Sequence, residues 1–145
     1  MHWLAALTVV AATRVLPPPC GAPAFDQERR DVATILRLEK AWSVAFLQGD
    51  TAFERCLLAP TFAEILRTGE MTGLAGELSS ATKNVAHPRR VPPLPRPTVV
   101  LLADGAVAYG IVMGKMRTTR YADFYVWTRS QWQVVFAQQT VVQTP

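Results

Sequence analysis

The stretch RYADFYVWTRSQWQVVFAQQT, residues 120–140, decides the fold. It predicts two β-strands of nine or more residues that fold back at residues 129–130, because β-branched and aromatic side chains are dense on both sides of that turn. Both faces of the hairpin carry large apolar side chains, so neither face can simply be left to water. One acid, Asp123, lies between Tyr121 and Tyr125, and this makes Asp123 the first candidate for a site residue.

The first half of the chain predicts three helices. Apolar residues recur at intervals of three and four between Asp26 and Leu47, which is typical of an amphipathic helix that ends at Gly49. A capping box that begins at Thr51 opens a second, short helix, and Thr72 can cap a third one.

Strands dominate the second half. A short strand over residues 61–66 returns as a stub at 70–71, and a strand over 98–103 turns at an Asp-Gly pair into a long strand over 106–116. The hairpin of residues 120–140 follows. Three early helices and a late antiparallel sheet predict an α+β domain.

Residues 1–24 have the features of a signal peptide: an apolar run of ten from Trp3 to Ala12 and a small-residue cleavage pattern at 22–24. They predict export to a secreted or periplasmic location, no stable membrane span after cleavage, and one domain over 25–145. The leader lacks an early Lys or Arg, so an uncleaved anchor or a misassigned start codon stays an open alternative.

Residues 84–97 form a proline-rich segment that predicts an extended loop over the mouth or edge of the fold. The net charge of +4 owes much to Arg89, Arg90 and Arg96 in this loop. We interpret these arginines as solvated, with contact to an anionic surface as the alternative. No helical stripe of Lys or Arg is interleaved with aromatic residues, which argues against binding of nucleic acid.

The order of these elements resembles the nuclear transport factor 2-like superfamily and, within it, the SnoaL-like proteins. The resemblance covers about residues 30–142 and rests on four pieces: Glu39-Lys40-Ala41-Trp42 with Gly49-Asp50; Asp104-Gly105-Ala106-Val107-Ala108; Tyr121-Ala122-Asp123 followed by Trp132; and the tail of residues 132–140.

The resemblance implies a cone-shaped domain, in which a curved antiparallel sheet wraps around a long N-terminal helix in a cystatin-like roll. It also implies a pocket between the two and a homodimer. Members include ketosteroid isomerases, polyketide cyclases, dehydratases, epoxide hydrolases and non-catalytic binding or assembly domains. This chain departs from the pattern at Pro60-Thr61-Phe62, where many relatives carry an acid, and at Gln138, where His is common. Both departures weaken the case for acid–base catalysis.

Period-two alternation divides the last hairpin into two faces. The face of the acid holds Tyr121, Asp123, Tyr125, Val135, Ala137 and Gln139. The other face holds Ala122, Phe124, Val126, Trp132, Val134 and Phe136. The resemblance implies that the first set lines the pocket and that the second packs elsewhere, in the dimer interface. A one-residue slip of register would exchange the two sets.

Further pocket residues follow from the same implied geometry. Those expected to contact a ligand are Trp42, Phe46, Tyr109, Ile111, Met113, Tyr125 and Gln139. Asp123, as base or acid, and Tyr121 are the candidate catalytic residues, because burial raises the pKa of a carboxyl group toward neutrality. The alternative is structural, with Asp123 paired to a nearby cation such as Arg120, Arg117 or Arg55.

Several kinds of site lack the residues that they need. The chain after the leader has one His and one Cys, too few for a metal site, and it has no Gly-rich phosphate loop or Ser/His/Asp set. We therefore predict no metal and no cofactor. Arg29, Arg30, Lys40 and the glutamates of the first helix are interpreted as its solvated face. Trp132 is interpreted as core or subunit packing.

Three functions remain. The first is binding of a small apolar or carbonyl-containing molecule in a mostly apolar pocket. The second is proton transfer by an isomerase, cyclase or dehydratase that uses Asp123 and a tyrosine. The third is a non-catalytic dimeric scaffold with a filled pocket. A second titratable group within hydrogen-bond reach of Asp123 would favour the enzyme over the binding protein.

Overall fold

The computed structural model describes residues 29–87, 96–113, 117–128 and 131–142. The helices are α1 (Val32–Gln48), α2 (Thr51–Leu57) and α3 (Leu74–Val85). The strands are β1 (Leu58–Ile65), β2 (Met71–Gly73), β3 (Thr98–Leu101), β4 (Gly105–Met113), β5 (Thr118–Thr128) and β6 (Gln131–Val142). The predicted signal peptide, most of the proline-rich loop and the turn at 129–130 lie outside the described residues.

The helix ends follow the capping chemistry of the sequence. The Asp31 side chain accepts a hydrogen bond from the Thr34 amide at 2.7 Å, so α1 begins after Asp31 and not at the predicted Asp26. Gly49 ends α1 in the left-handed conformation, with φ +76°. Asp50 then caps α2 through the Phe53 amide at 3.0 Å. Among the described residues, no helix has both the length and the apolar character to cross a membrane.

The sheet has six strands in the order β2-β1-β6-β5-β4-β3. Every neighbouring pair is antiparallel except β1 and β6, which are parallel. The prediction of an α+β domain with a curved antiparallel sheet is confirmed, apart from this one parallel pair. The helix α1 packs against α2, α3, β3 and β4, so it covers the inner face of the sheet.

Pro60 lies inside β1, three residues after α2 ends. The pairing of β1 with β6 is irregular between Leu58 and Ala63. Proline has no backbone N–H to donate to the pairing of two strands. A strand therefore tolerates proline where the pairing is interrupted, as it is around Pro60.

A β-bulge in β6 changes which side chains face the helices. Phe124 lies opposite Phe136 and Tyr125 opposite Val134, so Val135 is an extra residue without a partner across the strand pair. Strict alternation therefore fails at Val135, and Val134 is buried on the inner face in its place. Trp132 also lies on that face, and the predicted positions of all three residues were wrong.

Trp132 is buried at the end of the core nearest the N-terminal segment. Its indole N–H donates to the carbonyl oxygen of Arg29 at 3.1 Å, and its ring packs edge-to-face on Trp127 at 5.2 Å. The Arg30 guanidinium lies 5.5 Å from the Trp127 ring centre and also donates to Asp104 at 3.1 Å. Arg29 and Arg30 therefore precede α1 and connect the N-terminal segment to the end of the sheet. They do not belong to the solvated face of a helix.

Candidate functional site

Asp123 lies in the middle of β5, on the inner face that α1 covers. Its neighbours across the sheet are Ala108 on β4 and Ala137 on β6. Methyl side chains on both sides leave room above the sheet for the carboxyl group of Asp123, which is 8% exposed. The predicted inward position of Asp123 agrees with this register.

Glu39 approaches the same carboxyl group from α1. Its side chain shares a hydrogen bond with Asp123, and the Tyr125 hydroxyl donates to Glu39 Oε1 at 2.5 Å. Glu39 is 8% exposed, so its assignment to the solvated face of the helix was wrong. The two carboxyl groups and the phenol form one buried hydrogen-bonded unit, which we call the Asp123–Glu39 pair.

No cation neutralises this pair within the part of the chain that the structure describes. Asp123 forms no ion pair there, and Arg120 lies on the outer face of the sheet, opposite Ile111. Because successive residues of a strand point to opposite faces, Arg120 cannot share the side of Asp123 that faces α1. The structural alternative of an ion pair between Asp123 and a neighbouring arginine is therefore wrong.

Burial and like charge set the protonation of the pair. Burial raises the pKa of Asp123 well above its usual range, and the nearby charge of Glu39 adds to the effect. Burial also raises the pKa of Glu39 to about 7, although hydrogen bonds from Tyr125 and Asp123 hold it down. The hydrogen bond between the two raises the pKa of Asp123 and lowers that of Glu39, so Asp123 is the acid that holds the shared proton, while Glu39 titrates near neutrality.

A second carboxyl pair lies on the other side of Ala137. Glu64 on β1 is opposite Ala137, and Gln139 Nε2 donates to Glu64 Oε1 at 2.7 Å. Glu77 on α3 hydrogen-bonds to Glu64 and accepts a hydrogen bond from the Trp42 indole. Burial, followed by the charges of Glu64 and then Glu54, raises the pKa of Glu77 to about 8.

Glu54 on α2 extends this acidic interior. Its side chain has no exposed surface, and neither carboxyl oxygen has a hydrogen-bond partner among the described residues. Burial raises its pKa to about 7, with smaller contributions from the charges of Asp50 and Glu64. Five acids are thus buried inside a core that is otherwise mostly apolar.

Several of the predicted ligand contacts do surround these acids. Tyr125 and Gln139 bond to the two pairs, and Trp42 donates to Glu77. Tyr121 lies opposite Gly110 of β4. Its ring is so close to this glycine that a β-carbon at position 110 would lie 3.0 Å from it. Burial raises the pKa of the Tyr121 phenol, so the phenol stays protonated and can donate a hydrogen bond.

The predicted pocket positions on β4 were wrong. Ala108 pairs with Asp123 and Tyr109 pairs with Ala122, so Tyr109, Ile111 and Met113 all project from the outer face. They are 45%, 41% and 78% exposed. Phe46 is half-buried on α1 and, within the described residues, forms no hydrogen bond or ring contact with the acids.

Gln138, the position where His is common in the resembling family, also lies on the outer face, opposite Ala122. A shallow depression of about 190 Å³ is found there, lined by Arg120, Tyr121, Ala122, Gln138 and Thr140. A histidine at position 138 would therefore not reach the Asp123–Glu39 pair.

Sequence reasoning did not identify Glu39, Glu64 and Glu77 as buried, because a charged side chain was expected to be exposed whatever its position in the repeat. Glu39 lies four residues after Ile35 and three before Trp42, on the apolar stripe of α1. Glu77 lies three residues after Leu74 and four before Ala81 on α3, and Glu64 alternates with Phe62 on β1. An acid at an apolar position of the helical or strand repeat was the available signal.

The raised acid pKa values predict that stability falls as pH rises. Between the ordinary value of 4.5 and about 8, the folded chain holds a proton on Glu77 that the unfolded chain has lost. Glu77→Gln keeps the shape of the side chain but cannot ionise, so it should raise the free energy of unfolding at pH 8 by roughly 1–3 kcal/mol and change it little at pH 5.

Urea denaturation at pH 5, 6.5 and 8 measures this difference. Glu70→Gln, at an exposed glutamate, is the matched control and should leave the pH dependence unchanged. A Glu77→Gln protein whose stability falls with pH as steeply as that of the wild type would contradict the prediction.

Comparison with known proteins gives an independent view of the fold. No protein-family model and no curated protein matches the chain. Solved structures do match it. A nuclear transport factor 2-like protein from Cytophaga hutchinsonii has a TM-score of 0.66 and 17% sequence identity, and the match covers 79% of this chain and 100% of that chain.

Two other similar structures have functional names. A candidate calcium/calmodulin-dependent kinase II association domain from Exiguobacterium sibiricum has a TM-score of 0.57 and 17% identity, covering 81% of this chain and 98% of that one. A candidate ketosteroid isomerase from Shewanella frigidimarina has a TM-score of 0.55 and 13% identity, covering 72% and 92%. At these identities the likeness establishes architecture alone. The chain therefore has the nuclear transport factor 2-like fold, as its sequence predicted.

Proposed function

We propose that the chain binds a small organic molecule inside the fold and transfers a proton at the Asp123–Glu39 pair. The observation that carries this proposal is the hydrogen bond between two buried carboxyl groups, each 8% exposed. It supplies the second titratable group within reach of Asp123 that separates an enzyme from a simple binding protein. Proton transfer thereby becomes the leading function, ahead of binding alone.

The two carboxyl groups suit opposite roles. Asp123 keeps its proton at neutral pH and can donate a hydrogen bond to a carbonyl oxygen. Glu39, with a pKa of about 7, is ionised in part of the population and can accept a proton. When two neighbouring acids have environments that give them different pKa values, one can act as the acid and the other as the base of a single site.

The reaction that fits this pair is isomerisation of a carbonyl compound. In a ketone with a neighbouring C=C bond, Glu39 takes a proton from the carbon between the two groups, and the electron pair of that C–H bond moves toward the carbonyl oxygen to form a dienolate. Asp123, or the Tyr121 phenol, stabilises the negative oxygen with a hydrogen bond. Return of the proton from Glu39 to the far end of the dienolate moves the C=C bond and completes the isomerisation, so no oxidant, reductant or co-substrate is consumed.

Binding of a small apolar or carbonyl-containing ligand without turnover is the second candidate. The same residues support it, because Tyr121, Gln139 and Trp42 place hydrogen-bond donors around the buried acids. Native mass spectrometry of protein purified from its host, with a retained small molecule and no isomerised product, would favour this function over catalysis. Export by residues 1–24 stays part of the proposal.

We also propose a homodimer formed through the outer face of the sheet. Phe124 and Phe136 stack edge-to-face there at 5.7 Å, and Phe124 is 38% exposed. The exposed apolar residues that share this face are Val100, Tyr109, Ile111 and Met113. A contiguous apolar patch of this kind is typical of a protein–protein contact. A non-catalytic dimeric scaffold, the third candidate, would use the same face.

Asp123→Asn should lower the rate of proton exchange by about 100-fold or more, because it removes the acid that stabilises the enol oxygen. The measurement is NMR detection of deuterium entering the carbon next to the carbonyl group in a panel of small cyclic ketones and enones. The wild-type rate should rise with pH through about 7, as Glu39 loses its proton. Glu39→Gln should remove that rise, and Glu70→Gln serves as the matched control.

Exchange that survives unchanged in both Asp123→Asn and Glu39→Gln would rule out proton transfer at this pair. Exchange absent from the wild type across the whole panel, together with a ligand retained from the host, would leave binding as the function.

Phe124→Asp should convert the dimer to a monomer, because it places a charge in the centre of the apolar face. Size-exclusion chromatography with light scattering measures the mass, which should fall from twice the chain mass to one. Val85→Asp, at an exposed valine on α3, is the control and should stay dimeric. A wild type that is monomeric at millimolar concentration would contradict the dimer.

A further inference from the structure

Glu54 is a buried acid that does not belong to the Asp123–Glu39 pair. Its side chain is 0% exposed, and both of its carboxyl oxygens lack a hydrogen-bond partner within the described ranges. Buried polar atoms in folded proteins nearly always have a partner, and an ionised carboxylate without one is especially costly. Two empty acceptor oxygens inside the fold therefore need a donor from elsewhere.

Acids on β1, on α3 and at the start of α2 lie close enough to Glu54 for their charges to interact with it. The charge of Glu64 on β1 acts on Glu54, and the charge of Glu54 acts on Glu77 of α3. Asp50, at the start of α2, adds a further negative charge. The one cation that acts on this group is Arg67, which is exposed and affects Glu64. We call Glu54, Glu64 and Glu77 the acidic cluster.

The acidic cluster is not grouped as a metal site is. Within the described residues, no group of three His, Cys, Asp or Glu side chains is arranged to hold a metal. An organic cation with several N–H groups can reach carboxyl oxygens that lie farther apart, since each N–H points to a different acceptor. Trp42 and Phe62, whose rings meet edge-to-face at 6.0 Å, supply aromatic surface beside Glu77.

We infer that the acidic cluster of Glu54, Glu64 and Glu77 binds an organic cation with several N–H donors, such as a guanidinium or a diamine. The two free oxygens of Glu54 accept hydrogen bonds from the ligand. The shared proton of the Glu64–Glu77 pair gives way to a second ligand N–H. The charges of Glu64 and Glu77 act on Asp123, so the cluster adjoins the Asp123–Glu39 pair. Binding of the cation does not depend on proton transfer at that pair.

Binding is expected to release protons. Without a ligand, burial keeps Glu54 and Glu77 partly protonated near neutral pH, with pKa values of about 7 and about 8. A bound cation favours the ionised acids and lowers both pKa values. Affinity for the cation should therefore increase from pH 6 to pH 8.

Agmatine, which carries a guanidinium at one end and an amine at the other, is the probe for isothermal titration calorimetry with the full chain. Saturable one-site binding is expected, at least tenfold tighter at pH 8 than at pH 6. Titrations at pH 8 in two buffers of different ionisation enthalpy should show proton release. Putrescine and guanidinium, tested separately, distinguish a diamine site from a guanidinium site.

Glu54→Gln should weaken agmatine binding at least tenfold, because it removes the charge and makes half of the side-chain amide a donor. Glu70→Gln and Asp123→Asn should bind as the wild type does. The Asp123→Asn result separates this site from the proton-transfer site. A circular dichroism melt confirms that each variant is folded, and Glu77→Gln gives a second test of the same cluster.

Three results would overturn the inference. The first is the absence of saturable binding of agmatine, putrescine and guanidinium by the wild type at millimolar concentration and pH 8. The second is binding that neither Glu54→Gln nor Glu77→Gln weakens. The third is equal binding of 1,4-butanediol, which has the length of putrescine without its charge.

Discussion

The hydrogen bond between the carboxyl groups of Glu39 and Asp123 joins the long helix to the centre of the sheet. It forms only if one of the two acids is protonated, because two neighbouring carboxylates repel each other. The proton is therefore a structural part of the interior. Tyr125, which is buried and donates to Glu39, fixes the position of the helix carboxyl group relative to the strand.

The rest of the interior follows from the same constraint. Ala108 and Ala137 flank Asp123, and Ala137 separates the Asp123–Glu39 pair from the Glu64–Glu77 pair. Small side chains in this row make room for carboxyl groups above the sheet, where larger apolar residues would have filled the core. Burial of acids costs stability. Buried acids with raised pKa values are typical of functional sites, and this fold keeps five acids inside.

The sequence predicted the architecture well because its signals were local and strong. Helical spacing, the Asp-Gly turn and the dense β-strands at the end of the chain were sufficient for the α+β fold, whereas the inward position of Asp123 was implied by the family resemblance. The β-bulge at Val135 was not predictable, since one extra residue leaves no mark in the alternation of a strand that is apolar on both faces. The strand β4 is also apolar on both faces, so its register could not be predicted. Tyr109 lies on the outer face and not on the predicted inner one.

Only one of the two acids of the Asp123–Glu39 pair could be predicted from the sequence. Asp123 was noticed because an acid stands out among aromatic residues of a strand, whereas Glu39 resembled any glutamate of a surface helix. Its place on the apolar stripe between Ile35 and Trp42 indicates burial, but a partner was needed to explain it. That partner comes from a strand more than eighty residues away, and only the fold brings the two together.

The most direct test of this account is the titration of the Asp123 side-chain carboxyl carbon by NMR. The account predicts that Asp123 stays protonated through pH 7 and that the titration shifts when Glu39 is replaced by Gln. An Asp123 that ionises near pH 4, as an exposed aspartate does, would show that the two carboxyl groups share no proton. It would contradict the central claim.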